Sequence, residues 1–306
     1  MTERDYLSVD DVSVEELDDL LSEAAKMKSR PSRYENVLAG KQIAMIFEKP
    51  STRTRVSFEA GINSLGGSAI VLRADELQLG RGETIEDTGR VLSRYVDAIV
   101  VRTFEQARLD RLAAGASVPV VNALSDRSHP CQALADLLTI QEQRGKKLKG
   151  TSLAYIGDGN NVTHSLLLAG AKMGMEVRVA TPEDYAPAPE EVERAKEIAA
   201  HTGGKVIVTD FVPEAAGGAQ VLYTDVWTSM GQEAETEARL KIFEPYQISA
   251  EVVAMAASDV IVMHCLPAHR GEEIAAEVMD GDRAVVWDQA ENRLHTQKAL
   301  LASLLT

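Results

Sequence analysis

Ten short runs rich in β-branched residues, separated by stretches of helical periodicity, constrain this chain more than any other feature. They are 42-QIAMIF, 68-SAIVL, 98-AIVVR, 119-PVVN, 153-LAYIG, 177-VRVA, 206-VIV, 221-LYT, 260-VIVMHC and 284-AVVWD. Runs this short and this apolar read as strands buried on both faces. Helices between them call for parallel sheets joined by crossovers, so an α/β protein is expected. With 306 residues and about 100–200 residues per domain, the chain has length for two cores. The best boundary is 144-RGKKLKG, where basic charge and glycine interrupt the periodicity. It sets one α/β domain over 1–147 and a second over 148–289. The last stretch, about 290–306, reads as a helix with Leu300, Leu301, Leu304 and Leu305 on one side, expected to pack back on the first domain. At the other end, Ser13 and Glu16 form a capping box before Leu17, Leu20, Leu21, Ala24 and Met27 at helical spacing.

Composition enters when partners are considered. A chain that is 45% hydrophobic and 26% charged is an ordinary globular one. No apolar run approaches the 18 or so residues that span a bilayer, so no membrane partner is expected. The acidic opening MTERDYLSVDD lacks the apolar centre of a secretory signal, and two cysteines make no disulfide framework. Both point to a reducing cytoplasm. The formal charge is −15, from 47 acidic against 32 basic residues, which disfavours nucleic acid. An anionic ligand would have to be met by positive charge concentrated locally.

Such a concentration exists at 48-EKPSTRTR. Ser51 follows directly on a predicted strand, and Thr52 to Leu65 reads as a helix ending at Gly66-Gly67. Ser51, Thr52, Arg53 and Thr54 therefore sit at a helix N-terminus, where free N–H groups and the helix dipole favour an anion. Hydroxyls and guanidinium groups add donors suited to phosphate. The bland alternative is a serine cap with solvated arginines. Other strand ends also carry polar groups: Arg102, His129 to Gln132, Asp225, and His264-Cys265. Ligands of open α/β sheets gather at such ends.

Three rival chemistries are weaker. The turn 155-YIGDGNN follows a strand, but Val162 stands where a dinucleotide fingerprint has its third glycine. Asn160 and Asn161 offer neutral amides to a small polar ligand instead. The six histidines make no H-E-x-x-H and there is no C-x-x-C, so no metal is expected. His264 and Cys265, neighbours at a strand end, are expected to point apart. Cys265 could be a nucleophile, a buried thiol or a pocket wall. His164, His201 and His295 read as structural or surface residues, Cys131 as a packing residue, and Trp227 as either core or pocket wall.

The segments 51-STRTR, Arg102, 129-HPCQ, 225-DVWTSMG and 264-HCLP, in this order, resemble the aspartate/ornithine carbamoyltransferase family. The resemblance runs over essentially the whole chain, to 290-AENR and the terminal helix. STRTR with HPxQ marks the superfamily, and DxxxSMG with HCLP marks its ornithine branch. The resemblance implies two domains, each a mostly parallel sheet flanked by helices, with the active site in the cleft between them. It implies transfer of the carbamoyl group of carbamoyl phosphate to the δ-amine of L-ornithine, giving L-citrulline and phosphate without a covalent intermediate, metal or other cofactor. Ser51, Thr52, Arg53 and Thr54 would hold the phosphate, and Arg102, His129 and Gln132 the carbamoyl group. Gln78, in 75-DELQLGRGE, matches a position that reaches an adjacent subunit's site. Asn161, Asp225, Ser229 and the Met230 backbone would hold the α-carboxylate and α-amino group of ornithine. Cys265 and Leu266 would line the reacting centre and Arg293 would close it. Arg102, His129, Gln132 and Cys265 are thus the expected catalytic set. A homotrimer, or a multiple of trimers with active sites near subunit interfaces, is the implied assembly.

The acceptor is the finer question. Aspartate enzymes of the family bring a lysine from the neighbouring subunit's loop, and this chain has no lysine between Lys49 and Lys146. Asp225 suits an ammonium group and would repel a second substrate carboxylate. Putrescine enzymes carry a different loop where this chain has SMG. Acetylornithine as acceptor, or a paralogue that binds without turnover, are the remaining alternatives.

Overall fold

The computed structural model describes residues 5–73, 82–145, 148–228 and 235–306, and nine strands and twelve α-helices run through these described residues. In chain order the first elements are α1 (Val14–Ser29), β1 (Gln42–Phe47), α2 (Thr52–Ser64), β2 (Ser68–Arg73), α3 (Ile85–Leu92), β3 (Ala98–Arg102), α4 (Gln106–Gly115), β4 (Val120–Leu124) and α5 (Pro130–Gln143). Then come β5 (Ser152–Ile156), α6 (Asn161–Lys172), β6 (Glu176–Ala180), α7 (Pro189–Thr202), β7 (Lys205–Thr209), α8 (Val212–Ala216) and β8 (Val221–Thr224). The last are α9 (Thr236–Phe243), α10 (Ala250–Met255), β9 (Ile261–His264), α11 (Ala276–Met279) and α12 (Val286–Leu305). The chain divides into two units, Met1–Leu138 with Glu291–Thr306, and Thr139–Ala290. It leaves the first within α5 and re-enters it within α12.

Each unit is built on one parallel sheet. The first has strand order β2-β1-β3-β4 and the second β7-β6-β5-β8-β9. The α/β expectation is met in both. In β1, Ile43, Ala44, Met45 and Ile46 are at most 1% exposed, because this strand is central and covered on both faces. Each aliphatic side chain buried so fully contributes about 1.5–3 kcal/mol. Helix α1 is capped as expected: Ser13 accepts from the Glu16 N–H, and Glu16 accepts from the Ser13 N–H. Its buried face is Leu17, Leu20, Leu21, Ala24 and Met27.

Three expectations are corrected. β2 and β7 are not buried on both faces; they are sheet edges and stay half exposed. The run 284-AVVWD forms no strand. Ala284 makes one parallel bridge to Val262, and Val286 already begins α12. The terminal helix therefore starts at Val286, some four residues before the expected 290. Edge β4 is extended by a single bridge from Tyr6 to Val121, which explains why this edge is buried while β2 is not.

The strand orders put a reversal in each sheet. In the first unit the chain runs outward from β1 to β2, then returns past β1 to β3 and β4, so the order reverses between β1 and β3. In the second it reverses between β5 and β8. Helices leave in opposite directions at such a point and open a crevice beyond the carboxyl ends of the strands.

Candidate active site

In the first unit, the reversal joins the end of β1, which runs into Ser51, to the end of β3, which is Arg102. Ser51 caps α2, its hydroxyl oxygen accepting from the Thr54 N–H at 3.2 Å. The bland role is therefore real, yet the Ser51 O–H can still donate. Thr52 and Arg53 lie exposed at this helix start, whereas Thr54 is buried. Arg102 is buried at a register shift between β3 and β4, where Val101 faces Asn122 but Arg102 faces Leu124. Such a bulge re-aims the side chain it carries. The Glu48 N–H donates to the Arg102 carbonyl at 2.9 Å and fixes the two strand ends together.

His129 precedes α5, in a loop pinned by Asn122, whose amide donates to Ser128 Oγ and to the Leu7 carbonyl, both at 2.9 Å. His129 is buried, and burial first, then Arg293, Arg102 and Arg53, hold its imidazole well below its usual range. It is neutral at pH 7. Gln132, one turn into α5, donates to Asp136 at 2.8 Å and accepts from Arg293 at 2.7 Å. Arg293 also donates to Thr54 Oγ1 at 3.2 Å. A chain of contacts thus runs Asp136, Gln132, Arg293, Thr54. Four of the sequence-predicted residues of this unit, Arg53, Arg102, His129 and Arg293, form one electropositive group. Arg55 is not part of it; it pairs with Glu59 along the exposed face of α2.

In the second unit, Gly157 to Asn161 follow β5 and Asp225 follows β8. Asn160 caps α6, its oxygen accepting from the Val162 and Thr163 N–H groups. The same amide donates to Asp225 Oδ2 at 2.9 Å, and the Cys265 thiol donates to Oδ1 at 2.8 Å. The Asn160 amide therefore helps orient Asp225. Asn161 is the first residue of α6 and half-buried. The glycines of this turn need no nucleotide to explain them. A Cβ on Gly159 would lie 2.3 Å from the Pro187 nitrogen, and Gly157 has φ 143. Cys265 and Leu266 follow β9, and Leu266 is left-handed at φ 62, with its N–H donated to His264 Nδ1 at 2.9 Å. A non-glycine residue held there is characteristic of a site under constraint. The expectation that His264 and Cys265 diverge is corrected: a ring nitrogen, the thiol and an Asp225 oxygen lie within 4.8 Å of one another. Gln78, Ser229 and Met230 lie outside the described residues.

Several supporting residues carried no sequence signal. Arg239 is 3% exposed and donates to Asp158 Oδ2 and to the Trp227 carbonyl, both at 2.5 Å, while lying over the Tyr185 and Phe243 rings. Burial, with Asp225 beside it, raises Asp158 to about 6 although Arg239 opposes the shift. Trp227 is core, stacked on Phe243. In the first unit Lys49 lies over the Phe104 ring, and burial and Arg102 lower its pKa. Glu48 accepts from Arg108 at 2.6 Å and from Thr103. Cys131 is a packing residue whose thiol burial pushes up to about 12. His164 accepts from the Ala188 N–H at 3.0 Å.

Comparison with known proteins reaches both units. The family model described as aspartate/ornithine carbamoyltransferase, carbamoyl-P binding domain, matches residues 4–142. The one described as aspartate/ornithine carbamoyltransferase, Asp/Orn binding domain, matches 149–304. The ornithine carbamoyltransferase of Parafrankia sp. (strain EAN1pec) is 58% identical, over 100% of this chain and 97% of that protein. That of Bacillus subtilis (strain 168) is 54% identical, over 99% and 94%. The solved structure of ornithine carbamoyltransferase from Pyrococcus furiosus superposes with TM-score 0.96 at 52% identity, covering 99% of this chain and 97% of that one. An acetylornithine transcarbamylase complexed with acetylcitrulline has TM-score 0.89 at 33% identity over 99% of each chain. Fold similarity alone thus does not choose the acceptor; the side chains must.

Proposed function

The chain belongs to the aspartate/ornithine carbamoyltransferase family, and from that premise we propose that it transfers the carbamoyl group of carbamoyl phosphate to the δ-amine of L-ornithine, releasing L-citrulline and phosphate. The observation that carries the choice of acceptor is Asp225. It is 6% exposed and held by an amide and a thiol, both neutral donors. A carboxylate so held attracts the α-ammonium group of an amino acid and repels the second carboxylate of aspartate. The acylated amine of acetylornithine would meet it without charge.

In this reading the first unit binds carbamoyl phosphate. The N-terminus of α2, with Ser51, Thr52, Arg53 and Thr54, takes the phosphate. Arg102, His129 and Gln132 take the carbamoyl oxygen, and Arg293 keeps Gln132 and Thr54 in place. The second unit binds ornithine through Asn161, Asp225, Ser229 and the Met230 backbone, with Cys265 and Leu266 beside the δ-amine. That amine, with a free pKa near ~10.4 like lysine's, must first give one proton to solvent so that it attacks as the neutral amine. Its lone pair forms the C–N bond, and the carbonyl electrons move onto oxygen. Arg102 and the neutral, N–H-bearing His129 meet that oxyanion. Collapse breaks the C–O bond to phosphate, whose added charge falls on Arg53 and the helix end, and the amine proton leaves to phosphate or solvent. No group on the protein is consumed, so orientation and preset charge supply the acceleration. We further infer a homotrimer or a multiple of it, with Gln78 serving a neighbouring subunit's site, and a place in arginine metabolism in the cytoplasm. No helix among the described residues is long and apolar enough to cross a membrane.

The test is colorimetric citrulline formation from carbamoyl phosphate and L-ornithine, with L-aspartate, putrescine and N-acetyl-L-ornithine in parallel. Selective turnover of ornithine is expected. Turnover with another acceptor would leave the first-unit roles standing and remove those given to the second.

A further inference from the structure

The segment that carries Cys265 and Leu266 continues into a cluster the transfer reaction does not use. His269, Glu272 and Glu273 bring one imidazole nitrogen and two carboxylate oxygens within 4.8 Å of one another. Gly271, at φ 90, makes the turn that folds them together, closed by the Glu272 N–H donating to the His269 carbonyl at 3.0 Å. His269 Nδ1 lies 3.5 Å from Glu272 Oε2 and 3.9 Å from Glu273 Oε2. Glu273 is 0% exposed. Its Oε1 is satisfied by His264 Nε2 at 3.0 Å and the His269 N–H at 2.5 Å, but its Oε2 is buried with no hydrogen-bond partner.

A buried carboxylate oxygen without a donor is costly and calls for a positive group. His269 Nδ1 stands too far away for a hydrogen bond. Its distances suit something else. Ligands about 2.0–2.2 Å from a tetrahedral Zn²⁺ are about 3.3–3.6 Å apart, so the 3.5 Å pair already fits, the 3.9 Å pair needs to close by a few tenths of an ångström, and no pair by more than about 1.5 Å. One nitrogen with two carboxylates fits a borderline divalent ion, and the absence of a thiol in the set disfavours softer metals. His269 and Glu272 are each close to half exposed, which leaves an entry path and a position for water.

We propose that His269 Nδ1, Glu272 and Glu273 Oε2 form a Zn²⁺-type metal site on this turn, with water as the fourth ligand. The ion would fasten the turn from outside. Glu273 holds His264, whose Nδ1 holds the Leu266 N–H in its left-handed conformation. The spacing H-x-x-E-E puts the ligands three and four residues apart on a glycine turn rather than a helix, so helical zinc patterns do not reveal it.

The test uses the full chain, stripped with chelator and titrated with Co²⁺, followed by visible d–d absorption and calorimetry. One equivalent is expected to bind without a thiolate-to-cobalt charge-transfer band, and to bind equally in Cys265→Ser. His269→Ala and Glu272→Gln, with wild-type circular dichroism and melting temperature, should each weaken binding at least about tenfold, since even outer partners of metal ligands cost that much. Binding lost in Cys265→Ser but kept in His269→Ala would overturn the proposal and move the ion to the Asp225–His264–Cys265 group. Unchanged affinity in both His269→Ala and Glu272→Gln, or no binding by the wild type, would overturn it outright.

Discussion

The two units orient their candidate charges by the same device and with opposite sign. In the first, a cation, Arg293, is set by the Gln132 amide and the Thr54 hydroxyl. In the second, an anion, Asp225, is set by the Asn160 amide and the Cys265 thiol. A neutral partner fixes where a charge points without neutralising it. The scaffold treats its own charges differently: Arg239 pairs with Asp158, and Arg108 with Glu48. The contrast separates the candidate site charges from the supporting ones by the kind of partner, without reference to position in the chain. Its cost is a folded state that gains stability when the ligand arrives.

The comparison breaks most readily at Arg102. If this side chain meets the developing oxyanion, Arg102→Ala should lower kcat/KM by about 10²–10³-fold, the usual loss of one such donor. Ornithine binding measured by calorimetry should hold. A loss below tenfold would leave the first unit as a phosphate binder only. Asp225→Asn should act in the other unit and by less. It keeps the shape and removes the charge, costing about 1.5–3 kcal/mol, or roughly 10–100-fold in ornithine KM. Carbamoyl phosphate affinity should not move. If both substrates weaken together, the division of labour between the units is wrong.

How far these assignments could be read without coordinates depends on the range of the interactions behind them. β1 and β3 occupy the very runs 42–47 and 98–102, because a buried strand shows its burial residue by residue. The Ser13–Glu16 capping box and the Ser51 cap were legible for the same local reason. Strand order was not, since it depends on which distant runs pair. The two reversals that gather Ser51 with Arg102, and Asn160 with Asp225, were therefore visible only as a list of polar strand ends. The run 284-AVVWD misled because its pairing with Val262 is a single bridge, cut short where Val286 begins α12. The role of Asn160 in holding Asp225 was not legible because the two lie sixty-five residues apart in the chain. Arg239 and Glu273 had no motif at all; their meaning lies in burial against Asp158 and His264.

The sharpest small effect is the response of the two units to acid, which should have opposite signs. His129 is held neutral in the folded protein, while an unfolded histidine titrates near ~6.5. As the pH falls below that value, the unfolded chain takes the proton first. The stability it confers is thus full above about 6.5 and is lost as the pH falls, by up to about 1.4 kcal/mol per pH unit. Asp158 runs the other way. Its carboxyl sits at about 6 when folded, against ~3.9 unfolded. Between those values the folded chain holds the extra proton, so this term grows as the pH falls and is lost as the pH rises. Urea unfolding between pH 4 and 7 should show His129→Gln removing a downward slope toward acid and Asp158→Asn removing an upward one. Slopes rather than absolute values matter here, because Asp158→Asn also strips Arg239 of its partner at every pH. An acid slope unchanged by His129→Gln would mean that burial and the cations beside it do not hold His129 neutral in the folded protein.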